Sequence, residues 1–145
     1  MKLVETDSLR AICRDGGLTV RVRGACMSPL VLEGETVTVS SRRFYLPGDI
    51  LLFRHSGGGL RIHRLIGYRI ARPLELITRG DECDSFDSPI RLQDVIGKVT
   101  AIAPRRPGCR WAGIRAWIRG ALLLVPVASR VVLSRFRLPC SARSI

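Results

Sequence analysis

The sequence predicts a mainly β domain, a β-barrel or β-sandwich, with a short N-terminal helix and a separate helical, Arg-rich C-terminal segment. Three observations carry this. Short alternating or β-branched apolar stretches recur at roughly ten-residue spacing. Gly- and Pro-rich turns divide them. Charge then splits the chain in two: residues 1–103 hold 15 Lys+Arg against 12 Asp+Glu, while residues 104–145 hold nine Arg and no acid. The first part has the near balance of a globular domain, and 145 residues are enough for a real core.

In order, Thr6 to Arg14 suits a short helix, with Asp7 or Ser8 as N-cap and Leu9, Ile12 and Cys13 on one face. Asp15-Gly16-Gly17 ends it. Leu18 to Arg23 alternates with period two and reads as a half-buried strand. Gly24-Ala25-Cys26-Met27-Ser28-Pro29 breaks that strand, because glycine permits unusual φ while proline fixes φ and removes a donor. The expected result is a turn that presents Cys26. Thr36 to Ser40 is a β-branched strand. Leu46-Pro47-Gly48-Asp49 is a turn by composition, and Ile50 to Arg54 is apolar enough to be a central strand. Ser56 to Gly59 makes a hairpin loop, and Leu60 to Tyr68 returns as a strand. Leu74 to Arg79 and Asp94 to Ile102 complete six strands, separated by an acidic loop from Gly80 to Pro89.

The tail needs its own account. Trp111 to Leu133 has helical character, but Pro126 and Arg130 interrupt the apolar run from Ala121 to Val132. A membrane span takes about 20 consecutive apolar residues. Two readings stay open: an interfacial amphipathic segment on an anionic membrane or a partner, or a helical cap on the β domain with its arginines in water. The N-terminus has no apolar h-region, since Glu5 and Asp7 follow Met1 closely, and is not read as a signal peptide. Membrane association is therefore expected through the C-terminal tail, with a cytoplasmic location as the alternative.

Five widely spaced cysteines, no CxxC and only two histidines argue against a zinc site and favour free thiols; no metal or cofactor is expected. The residues that could form a hydrolytic centre are Cys26 in its turn, His63 on a strand, and the aspartates of the acidic loop, Asp81, Asp84 and Asp87. A nucleophile, a base and an orienting acid are the parts of a triad. A thiol beside an imidazole forms a thiolate–imidazolium pair, and the acid holds the ring tautomer. The Cys26 amide could serve as an oxyanion donor. Each residue also has a plainer reading. Cys26 could be a small buried hydrophobe, His63 a structural strand residue, and Asp81 an Asx-turn residue. Asp84 is expected in water. Arg64 could be exposed or paired with the acidic loop. His55 competes with His63, but it abuts the glycine loop and is expected to be exposed.

Taken in order, the motifs from Gly24 to Val99 resemble the signal peptidase superfamily, the membrane-associated serine peptidases related to the LexA-type self-cleaving repressors. They are Gly24-Ala25-Cys26-Met27-Ser28-Pro29, Gly34-Glu35, Pro47-Gly48-Asp49 before Ile50-Leu51-Leu52-Phe53, Ile62-His63-Arg64-Leu65-Ile66-Gly67, and Thr78-Arg79-Gly80-Asp81. The resemblance implies a signal-peptidase-like catalytic core, with Cys26 at the position of the nucleophile serine. It implies a histidine base at His63, as in the endoplasmic-reticulum and archaeal type, since neither lysine of the chain falls there. It implies Asp87 as the triad acid, six residues beyond Asp81, with Asp81 the structural Gly-Asp residue and second choice for the acid. Ser28 occupies the variable position of the nucleophile box.

The function implied is an endopeptidase that cleaves an extended segment of a peptide or protein through a Cys26–His63–Asp87 centre. A catalytically inactive homologue that binds peptides is the alternative, because the usual serine is replaced. Nucleic-acid binding is disfavoured: the β domain is nearly neutral and the tail arginines are spread along an apolar segment.

Overall fold

The computed structural model describes residues 3–104 together with Ile114, Trp117 and Ile118. The interfacial helix expected between Trp111 and Leu133 otherwise lies outside the described residues, as do Cys109 and Cys140. Among the described residues, no helix is long and apolar enough to cross a membrane.

Helix α1 spans Leu3–Asp15. The strands are β1 (Leu18–Arg21), β2 (Thr36–Ser40), β3 (Ile50–Arg54), β4 (Leu60–Arg69), β5 (Glu75–Arg79), β6 (Ile90–Arg91) and β7 (Val95–Ala103), with a 3-10 turn at Leu92–Asp94. They form one antiparallel seven-stranded sheet in the order β1-β2-β7-β3-β4-β5-β6. The domain is thus mainly β, as the alternation predicts. It is not the closed barrel that was one of the two expectations. The terminal strands β1 and β6 do not pair with each other, and β6 contributes only Ile90 and Arg91, pairing with Leu76 and Glu75. Two residues cannot supply the ladder that closure requires.

The apolar run of β3 does mark the middle of the sheet, and Ile50 to Phe53 are buried throughout. Because side chains alternate along a strand, Ile50 and Leu52 join one core cluster with Val37, Val39, Ile96 and Met27. Leu51 and Phe53 join another with Leu65, Leu76 and Val95. Helix α1 covers the first cluster with Cys13 and Leu9. It begins earlier than its capping residues suggest, and Asp7 does not cap it but pairs with Arg10 one turn on. The Arg10 guanidinium donates to the carbonyls of Leu92, Gln93 and Val95, which ties the helix to the start of β7. Strand β1 stops at Arg21, but Val22 still exchanges backbone hydrogen bonds with Gly34 and Glu35 before the chain turns.

Gly97 is required by the packing of β7 against β2. A Cβ there would lie 2.8 Å from the Ser40 carbonyl oxygen and 2.8 Å from Val39 Cγ1. Backbone cannot yield as a flexible side chain does, so Gly97→Ala should destabilise the domain by about 1–3 kcal/mol. Urea denaturation followed by circular dichroism measures this, and a midpoint equal to the wild type would contradict the contact.

Candidate active site

The candidate site forms where the turn after β1, the middle of β4 and the loop after β5 meet. The turn begins at Gly24, whose φ of 86° is left-handed and unfavourable for a side chain. It is held by hydrogen bonds from Ser28 N–H to the Ala25 carbonyl and from Val31 N–H to the Met27 carbonyl. Met27 is fully buried and anchors the turn in the core, leaving Cys26 half-buried beside it. Cys13, Cys26 and Cys83 are all free thiols.

His63 lies on β4 opposite Leu51 of β3, on the sheet face that carries Phe53, and its ring stands edge-on to Phe53 at 6.1 Å between centroids. Its Nδ1–H donates to Asp87 Oδ2 at 2.6 Å. The Cys26 thiol lies close enough to the same imidazole to act on its ionisation. Nδ1 is taken by Asp87, and Nε2 faces Gly80, against which the Cys26 carbonyl also packs. Burial alone would lower the His63 pKa. The hydrogen bond to the Asp87 carboxylate, its charge, and the nearby Cys26 outweigh burial and push it up to about 9. The ring is therefore an imidazolium at neutral pH.

Asp87 is buried and held from several sides. Thr78 Oγ1 donates to Oδ2 at 2.8 Å, Arg61 approaches Oδ1 at 3.5 Å, and the Asp87 N–H donates to the Thr78 carbonyl at 2.9 Å. The alternation that turns His63 toward Asp87 turns the next residue the other way. Arg64 donates to both oxygens of Asp81, at 2.8 and 2.7 Å, and to the Gly48 carbonyl at 2.8 Å. So the structure brings Cys26, His63 and Asp87 together and leaves Asp81 out. The second choice for the acid is committed to Arg64. Arg64 itself takes the paired alternative rather than the exposed one.

One other expectation changes. His55 is half-buried rather than exposed, with Nδ1 enclosed and lacking a hydrogen-bond partner among the described residues. Burial, then the neighbouring Arg61, lowers its pKa. Asp84 is exposed at the tip of the loop, as expected. Among the described residues no group of His, Cys, Asp or Glu could hold a metal ion.

Thr78 and Gly80 stand in a sequence motif without a role of their own at the site, and Arg61 and Cys83 were not singled out as parts of it. Thr78 carried a usable signal. Period two places it on the same face as buried Leu76, and a hydroxyl at an inward position needs a partner. Gly80 is explained only by contact: a Cβ there would lie 2.8 Å from the Cys26 carbonyl oxygen, 2.8 Å from Cys83 Sγ and 3.2 Å from His63 Nε2. The Glu82 N–H also donates to that Cys26 carbonyl at 3.0 Å, so the acidic loop positions the thiol-bearing turn directly.

With this geometry described, comparison with known protein families finds no match to the chain, and no curated protein matches its sequence.

Two predictions test the site. Removing one member of a buried ion pair strands the other, so Asp81→Asn should cost about 3–5 kcal/mol, whereas the double variant Arg64→Met/Asp81→Leu should recover most of it. Chemical denaturation of the three proteins measures both values. For His63, a folded pKa of about 9 against the ordinary 6.5 means stabilisation that is fully present below about pH 6.5 and lost as pH rises through 9. The stability difference between wild type and Asp87→Asn should therefore be a few kcal/mol in mild acid and should narrow steadily toward pH 10. A gap that widens with pH would reverse the sign assigned to His63.

Proposed function

We propose that the protein is a signal-peptidase-like endopeptidase that uses Cys26 as nucleophile, His63 as general acid and base, and Asp87 to orient and charge-stabilise the ring. The open sheet is, on this reading, a signal-peptidase-type fold. The single observation that carries the proposal is the convergence of the Cys26 thiol on a His63 ring that is hydrogen-bonded to the Asp87 carboxylate, in a chain whose motif order resembles that superfamily.

The chemistry follows from that convergence. On this reading the Cys26 thiol passes its proton to His63 to form the attacking thiolate. The Cys26 thiolate attacks the scissile carbonyl carbon, and the negative charge moves to the carbonyl oxygen, with the Cys26 N–H as candidate donor. The C–N bond then breaks as Nε2–H gives its proton to the leaving amine, producing a Cys26 thioester and a neutral imidazole. Water attacks the thioester, Nε2 takes its proton, and the thiolate leaves with the imidazolium regenerated. Asp87 orients the ring throughout, itself held by Thr78 and Arg61.

The substrate class is an extended peptide segment. Strand β1 is an edge strand that leads straight into the Cys26 turn, and β5 is paired by β6 only at Glu75 and Leu76, ahead of Gly80. An extended chain added at such an edge gains main-chain hydrogen bonds and passes the thiol. Preference for small residues beside the scissile bond rests on the family resemblance.

The replacement of the usual serine favours a second reading, an inactive homologue that binds peptides in the same groove. Incubation with a library of extended peptides, read by mass spectrometry, separates the two. Cleavage should be abolished by Cys26→Ala and by His63→Ala, and reduced about 10²–10⁴-fold by Asp87→Asn. Peptide binding that is equal in wild type and Cys26→Ala, with no cleavage by either, would establish the second reading instead.

A further inference from the structure

Away from the candidate site, α1, the β2–β3 and β4–β5 connections, β6 and the start of β7 border an open cavity of about 640 Å³. Five arginines line it, Arg10, Arg14, Arg42, Arg43 and Arg91, and no carboxylate does. Arg10 is spent on the carbonyls that tie α1 to β7. The other four are exposed, and none forms an ion pair with a described carboxylate. A nearly neutral domain that gathers unpaired guanidinium groups around one hollow leaves a strong local positive potential there. Planar guanidinium forks match phosphate oxygens.

The β2–β3 connection carries apolar side chains that no core requires. Phe44 is 76% exposed and Leu46 is 68% exposed. Trp117 packs beside Gly48 of this connection, with Cδ1 3.6 Å from where a Cβ would be, and its helical neighbours Ile114 and Ile118 are exposed. Trp117 therefore lies against the very connection that supplies Arg42 and Arg43.

We propose that this face of the β domain docks on an anionic phospholipid surface, with headgroup phosphates in the arginine-lined cavity and Phe44 and Leu46 entering the interface. Unpaired cations beside protruding apolar groups suit a surface that is anionic outside and apolar beneath. A soluble phosphate compound would use the arginines but not the protruding Leu46, nor the Phe44 ring beyond its packing under the Arg43 guanidinium at 5.6 Å. The proposal does not depend on the peptidase reading.

The test is co-sedimentation of the full chain with phosphatidylcholine vesicles with and without phosphatidylglycerol. Wild type should partition strongly only onto the anionic vesicles. Arg42→Ala/Arg43→Ala should lower that partitioning by about 25-fold, given roughly 5-fold for each surface arginine. The charge-matched double variant Arg21→Ala/Arg23→Ala should lower it several-fold less, and Phe44→Ser should weaken it with no change in charge. Unchanged thermal unfolding of the exposed-site variants confirms intact folding. Equal losses in the two double variants would show a net-charge effect of the whole chain and overturn the proposal. So would equal binding to both vesicle types, or displacement from vesicles by glycerol phosphate at matched phosphate concentration.

Discussion

Two consecutive residues of β4 carry charges into the interior, and one short loop neutralises both. His63 and Arg64 point to opposite faces because a strand alternates its side chains. The loop after β5 meets His63 with Asp87 and Arg64 with Asp81. Buried charge is costly unless it is paired and hydrogen-bonded. That penalty makes the loop conformation obligatory: moving the loop would strand an arginine and an imidazolium at once. The rest of the candidate site inherits its geometry from this double clamp.

The clamp also reaches the thiol. The loop donates the Glu82 N–H to the Cys26 carbonyl, and Gly80 keeps its Cα close enough for the Cys26 backbone, the His63 ring and the Cys83 sulfur to crowd one point. From the other side, buried Met27 pins the turn in the core. The turn that carries the thiol is therefore located by its neighbours on both sides.

Much of this fold was legible in the chain. The six longer strands follow period two or β-branching, and the uninterrupted apolar run of β3 marks it as central. Strand β6 was not legible, since two residues after Pro89 carry no periodicity. Nor was the earlier start of α1, which gains its anchorage from Arg10 and β7, far apart in sequence. At the site, spacing and motif order brought Cys26, His63 and the acidic loop into consideration. They could not tell from the residues alone which aspartate faces the ring. Asp81 and Asp87 are chemically identical, and only the path of the loop across the end of the sheet assigns one to Arg64 and the other to His63.

By itself, the sequence determined the local elements: where strands run, where the chain must turn, and that residues 104–145 differ in charge from what precedes them. These depend on propensity and on side-chain period, which are properties of neighbours in the chain. Tertiary structure alone decided that the sheet stays open, that Thr78 and Arg61 attend Asp87, and that position 80 has no room for a side chain. It alone gathered five arginines from α1, the β2–β3 connection and β6 around one cavity. Each of those outcomes is a meeting of residues distant in sequence, governed by desolvation and excluded volume between surfaces that the order of residues does not display.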